Sequence, residues 1–284
     1  MRIIRVFPSR TNATPVDELA FVGDPPLPAF RPDADEVHVS CTFTWDRPEA
    51  ERLRSAWARY YPVVRLGGPA YDDRGGEFVP GRYVRPGMLM TSRGCPNACR
   101  HCVVPLREGM LRELPIVAGW DVLDNNLLAC SRGHVEAVLD MLGGQRQRAK
   151  FSGGLEGGRV SHWFVERLRR LRVERVFTAY DEIGLEDAVA RAIGMLLDAG
   201  LNHRHVSCYV LVGQPGDTIE AATERCEWIK GLGATPFAMY FLGAGDRPDR
   251  IPQEWREWRR GWILPTAIFS AKAKPKETLY ANTD

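Results

Sequence analysis

Three cysteines crowd into the segment TSRGCPNACRHC (91–102), where Cys95, Cys99 and Cys102 form a CxxxCxxC array. Three thiols on one short loop can converge on a single metal site. A structural zinc site takes four protein ligands, usually as two separated pairs, and no second CxxC or CxxH pair follows downstream. Three ligands leave one position open. Soft thiolates favour iron-sulfur clusters, and a 4Fe-4S cluster held by three cysteines has one iron free to take an outside ligand. The competing reading is a closed, non-catalytic metal site in which Cys130 or His134 supplies the fourth ligand.

The spacing resembles the radical S-adenosylmethionine superfamily, over roughly residues 87–243, with the pattern nearest to cobalamin-binding-type and methylthiotransferase-like members. The resemblance implies that the free iron chelates the amino and carboxylate groups of S-adenosylmethionine. One electron then cleaves the sulfonium to methionine and a 5′-deoxyadenosyl radical, which abstracts hydrogen from a substrate that the sequence does not name. His101 stands where the family usually has an aromatic residue before the third cysteine.

Other segments carry the resemblance further and imply cofactor contacts. VLVGQPGDTIE (210–220) places Gly213, Gln214, Pro215, Gly216 and Thr218 in a Gly-x-Pro-Gly-x-Thr run; by itself it reads as a strand-turn-helix junction capped by Asp217. VLDNNLLA (122–129) carries Asp124, Asn125 and Asn126, similar to an Asp-Asp-Asn variant found in cobalamin-type members. FSGGLEGG (151–158) offers Glu156 to the ligand, with Gly153 and Gly154 allowing close backbone approach. No GK[ST] follows, so a phosphate loop is excluded there. Tyr180, Asp181 and Glu182 stand where relatives contact the ribose or methionine part. The implied cofactor set is therefore His101, Asp124, Asn125, Asn126, Glu156, Tyr180, Gly213, Gln214 and Pro215, with Cys95, Cys99 and Cys102 as iron ligands.

These residues need a scaffold. From Gly87 onward, apolar strands at 88–92, 120–124, 149–152, 175–180, 205–212 and 236–242 alternate with amphipathic helices, the pattern of βα units around a parallel sheet. Periodicity alone leaves an incomplete barrel and a doubly wound sheet both open, and either puts chemistry at the strands' carboxyl ends. Ser161 and Asp217 are candidate helix N-caps. Only residues 103–119, with two prolines, separate Cys102 from the second strand, so the first helix must be short or distorted.

Residues 1–86 read as a small α/β region with strands at 38–45 and 63–68 around a helix at 48–61, whose Leu53, Trp57 and Tyr60 share a face. This region resembles a shortened Rossmann-like domain of cobalamin-dependent relatives. The Asp-x-His-x-x-Gly cobalamin signature is missing and His38 sits in a strand, so cobalamin is not favoured. The expected fold is α/β: a partial (β/α)6 TIM-like barrel at 87–243, the N-terminal Rossmann-like remnant, and a C-terminal helical extension at 244–284.

That extension carries eight Lys or Arg against three Asp or Glu between Arg247 and Lys276, with Trp255, Trp258 and Trp262 on one helical face. Such tryptophans dock a terminal helix; interleaved with basic residues they also suit nucleic-acid binding, which makes a nucleic-acid-modifying enzyme the alternative. The net charge of +2 names no partner. No stretch approaches a membrane span and the amino terminus lacks a signal-peptide core, so the expected compartment is the cytoplasm. Reductive cleavage implies a flavodoxin or ferredoxin as electron donor. Cys41, Cys130, Cys208 and Cys226 read as buried small hydrophobes.

Overall fold

A computed structural model describes residues 1–72, 78–243, 245–263 and 268. The chain is α/β, with two parallel sheets over separate hydrophobic cores. The first sheet joins β1 (Ile3–Phe7), β2 (Ala20–Val22), β3 (Glu36–Ser40) and β4 (Val64–Gly67) in the order β2-β1-β3-β4. Val37 and Val39 alternate into its core, where α1 (Arg47–Trp57) lays Ala50, Leu53 and Trp57 against them. The Trp57 indole donates to the Gly23 carbonyl at 3.1 Å.

This sheet has four strands where the sequence suggested two. The strand expected over 38–45 ends at Ser40, and residues 44–46 turn as a 3-10 helix instead. Tyr60 lies past the end of α1 and is exposed, so only Leu53 and Trp57 of the expected face are buried. The crossovers over 8–19 and 23–35 contain no α-helix, which removed the alternation that marks βα units and hid β1 and β2.

The second sheet begins with β5 (Met88–Leu89), after which β6 (Ser92–Arg93) pairs antiparallel with β7 (Arg112–Glu113). The first strand, expected unbroken over 88–92, is thus split. Between β6 and β7 lie the cysteine loop and α2 (Val104–Arg107), a single turn, as the prolines require. Then come β8 (Asp121–Val122), α3 (Arg132–Gly143), β9 (Ala149–Leu155), α4 (His162–Leu168), β10 (Val173–Tyr180), α5 (Glu186–Asp198), β11 (Val206–Val212), α6 (Ile219–Gly231) and β12 (Thr235–Tyr240). The sheet order is β5-β8-β9-β10-β11-β12, all parallel, each strand beside its predecessor. A doubly wound sheet reverses its order at a switch point. This one does not.

Ser131 and Ser161 cap α3 and α4 by accepting from the amides of His134 and Phe164, each at 3.3 Å. At α6 the cap is Thr218, accepting from Ala221 at 3.2 Å, and not Asp217. Asp217 instead accepts from the Gly213 amide and pairs with Arg225, both at 2.7 Å, closing the loop that follows β11. The last helix, α7 (Gln253–Arg260), docks by its tryptophans: Trp255 is buried against Tyr240, and the Trp258 indole donates to Thr223 at 2.9 Å. The expected basic tail beyond residue 268 lies outside the described residues.

Because all six strands are parallel, the ends that follow Leu89, Val122, Leu155, Tyr180 and Val212 share one edge of the sheet. Every implied site residue lies at that edge, Tyr180 as the last residue of β10 and the others on the loops there. Gly153 lets β9 come against β8 there, for a Cβ would sit 2.1 Å from the Asp124 carbonyl oxygen and 2.7 Å from the Leu123 carbonyl carbon. The close approach foreseen for a ligand is thus made by the neighbouring strand. Backbone cannot step aside cheaply, so Gly153→Ala should cost about 3 kcal/mol or more. Gly194→Ala, in α5 with open space around it, should be neutral or stabilising by up to ~1 kcal/mol. Urea unfolding of both variants checks the contrast.

Candidate functional site

The site is built upward from Asp124, which follows β8 and is buried. Its Oδ1 accepts from the Thr91 amide at 2.6 Å, and its Oδ2 from the hydroxyls of Thr91 and Ser92 at 2.6 and 2.7 Å. Burial pushes the Asp124 carboxyl up, and these donors oppose that shift. The contacts split the first strand and set the start of the cysteine loop. Asp124 is therefore turned into the protein beneath the loop, away from the cavity described below.

The next two residues hold the loop from its side. Asn125 Oδ1 accepts from the Gly94 amide at 3.1 Å. Asn126 Nδ2 donates to Cys95 Sγ at 3.5 Å and to Glu156 Oε2 at 2.7 Å. Asn97 and Arg159 donate to that same Glu156 oxygen at 2.8 and 2.7 Å, while Oε1 takes none of these bonds. Burial favours the neutral Glu156 carboxyl, but the donors from Asn126, Asn97 and Arg159 outweigh it and hold the group below the ordinary glutamate range. Across the loop, Arg93 grips Glu108 with bonds of 2.7 and 2.9 Å, and Glu108 also takes the Gly94 amide at 3.2 Å.

On this frame the three thiols are free, with Cys95 half-buried and Cys99 and Cys102 exposed. Burial raises the Cys99 thiol, with further contributions from Cys102, Cys95, Glu182 and Asp181. The Cys102 thiol is raised as well, chiefly by burial, with Cys95 and Asp181 adding to it. Cys99 and Cys102 both feel Cys95 and the Asp181 carboxyl, so the loop thiols lie in one field. Cys130 and His134 belong elsewhere, since their ligand atoms group with Asp124, all within 4.8 Å of one another. Cys130, expected as a buried small hydrophobe, packs against the main core but is only half-buried; burial pushes its thiol up to about 11, and Ser92 and Asp124 act on it. Cys41, Cys208 and Cys226 are buried among apolar residues as expected.

A cavity of about 490 Å³ opens beside the loop, walled by Arg100 and His101, by Tyr180–Ile183 after β10, and by Gln214–Asp217 after β11. The His101 ring meets Phe241 edge-on at 5.2 Å. The Gln214 side chain donates to the Asp181 carbonyl at 3.1 Å, joining the two strand-end loops. The Asp181 carboxyl, exposed at the cavity mouth, is pushed up by the protein around it and by Glu182. The Tyr180 hydroxyl is spent on Glu186 at 2.5 Å, so its ring alone is offered to the cavity. Gly213 has φ of +74°, and a Cβ there would lie 2.2 Å from the Tyr240 ring.

Thr91, Ser92, Asn97, Glu108 and Phe241 were not marked in the sequence. Thr91 and Ser92 lie inside TSRGCPNACRHC, and their clue was two hydroxyls at the foot of a cysteine loop. The chain matches no protein-family model, and no curated protein is significantly similar to it. Glu156→Gln should lower stability by about 1 kcal/mol at neutral pH, since hydrogen bonds to a charged acceptor are lost. A lowered folded pKa means that this contribution is present above the unfolded value and is lost as pH falls through the folded one. The difference in melting temperature between the two proteins should therefore shrink below the ordinary glutamate range.

Proposed function

We propose that this chain is a radical S-adenosylmethionine enzyme that cleaves S-adenosylmethionine reductively to methionine and a 5′-deoxyadenosyl radical, and that its second sheet is a partial (β/α)6 barrel. The observation that carries this reading is the shared cavity. One wall is Arg100 and His101, which stand between Cys99 and Cys102 on the loop that carries the three free thiols, and the others are the ends of the fourth and fifth strands of the sheet; the thiols themselves are not among the residues that line it.

The donor set fits a 4Fe-4S cluster. Three soft thiols stand on one loop, and an Asn126 N–H is already directed at Cys95 Sγ. Bound there, such a cluster would supply the single electron and the open iron site that the cleavage needs. The thiols must lose their protons to become ligands, so metal uptake should weaken as pH falls.

The chain's own residues supply position and charge. Glu156 Oε1, left over when three donors converge on Oε2, is a negative acceptor suited to an ammonium group such as that of the methionine part. Its three donors keep it ionised and fixed. Asp181 and Gln214 frame the cavity rim, where hydroxyl groups of a ribose would find both acceptor and donor. The cavity size falls within the range that small cofactors occupy.

The sequential strand order supports the barrel, because each βα unit of a barrel adds its strand beside the last. Cobalamin is not part of the proposal, since both ring nitrogens of His38 are engaged, by Tyr83 at 2.5 Å and Glu36 at 2.8 Å. The electron must come from a flavodoxin or ferredoxin-type donor. Anaerobic reconstitution with iron and sulfide, then dithionite and S-adenosylmethionine, should yield 5′-deoxyadenosine by chromatography. The Cys95→Ala/Cys99→Ala/Cys102→Ala protein should yield none. A protein that binds zinc at these cysteines and forms no deoxyadenosine would overturn the reading.

A further inference from the structure

Beneath the cysteine loop lies a second constellation that the proposed chemistry does not use. Asp124, Cys130 and His134 each direct one ligand atom to a common point, all within 4.8 Å of one another. They come from three elements: the end of β8, the turn before α3, and the first turn of α3 itself. Both Asp124 and the His134 side chain are more than nine-tenths buried, at 1% and 7% exposure. Ser92, opposite Glu113 in the β6–β7 ribbon, reaches the same spot through its bond to Asp124.

His134 supplies the decisive detail. Its Nε2 is buried and has no hydrogen-bond partner. Its Nδ1 faces Glu113 Oε2 at 3.6 Å, while Glu113 Oε1 is pinned by the Ser131 amide at 2.6 Å. A carboxylate beside one ring nitrogen draws the proton there and leaves a lone pair on the other. Metal-binding histidines are oriented in this way by an outer carboxylate. A buried lone pair without a donor costs free energy unless something occupies it. Asp124 Oδ1, which accepts one hydrogen bond among those formed by its carboxylate, keeps a second lone pair for the same purpose.

We propose that Asp124, Cys130 and His134 bind a divalent transition-metal ion of the zinc class, separate from the site of Cys95, Cys99 and Cys102. One nitrogen, one sulfur and one carboxylate oxygen are the borderline-soft donor set that zinc takes. Zinc lies about 2.0–2.3 Å from such ligands, so closing the triad around it requires shifts on the order of 1 Å. The ion joins β8 to the start of α3 and holds the carboxylate that sets Thr91 and Ser92. Glu113 serves as a positioning residue through His134.

The test uses the full-length Cys95→Ala/Cys99→Ala/Cys102→Ala protein, which lacks the loop thiols, so failure of the radical chemistry does not affect it. Titration with cobalt(II) should give about one equivalent bound, with a thiolate-to-metal charge-transfer band that zinc displaces. X-ray absorption of the zinc form should show one sulfur among nitrogen and oxygen neighbours. Adding Cys130→Ser should abolish the band, His134→Gln should weaken binding, and Glu113→Gln should weaken it about tenfold while leaving the band intact. No charge-transfer band in the triple variant, a sulfur count other than one, or unchanged uptake with Cys130→Ser would each overturn the proposal. The first two readouts need no substitution within the triad, so they hold even where Cys130→Ser fails to fold.

Discussion

A carboxylate taken out of water is costly unless donors surround it, and the carboxyl-end edge of the second sheet is organised around one such group. Asp124 sits at the end of β8 and gathers the Thr91 amide and the Thr91 and Ser92 hydroxyls. Those bonds pull the backbone out of the β5 line at residues 90–91 and launch the cysteine loop from a fixed base. Gly153 permits it by letting β9 lie against the backbone of Leu123 and Asp124. Remove the approach of β9, and the end of β8 has no rigid neighbour to hold it in place.

The loop above this base combines a stiff frame with open thiols. Arg93 and Glu108 form a half-buried bidentate pair across it, with both side chains 15% exposed. Asn125, Asn126 and Asn97 stitch it to β8 and β9. Cys99 and Cys102 remain exposed at the tip. The metal centre proposed above would need this arrangement, because ligand geometry has to be held while one face stays reachable.

The flanking regions play a different part. The N-terminal sheet has its own core around Trp57, Leu53 and Val37, and meets the rest through contacts such as the ion pair of Asp72 with Arg107 of α2 at 3.7 Å. The tryptophans of α7 are committed to packing: rings of Trp255 and Trp258 lie 5.5 Å apart, over β12 and α6. Arg256, Glu257 and Arg260 face water while Arg259 is half-buried, so the stacking platform that a nucleic-acid reading asks for is largely used up in docking the helix.

The sequence by itself determined the cysteine triad, the α/β alternation after Gly87 and the short first helix, because these depend on local spacing, hydrophobic period and proline position. Residues 124–126 and Glu156 were legible as polar groups at strand ends. Their partners were not. Which oxygen of Glu156 is left free, that Asp124 faces inward, and that Thr218 rather than Asp217 caps α6 depend on atoms from residues 3 to 59 positions apart. The same holds for β1 and β2, whose pairing lacks helical crossovers to announce it, and for the meeting of Asp124, Cys130 and His134. Only the tertiary structure decided these, since register and side-chain direction arise when strands pack, and a linear pattern records which groups are present but not which ones they face.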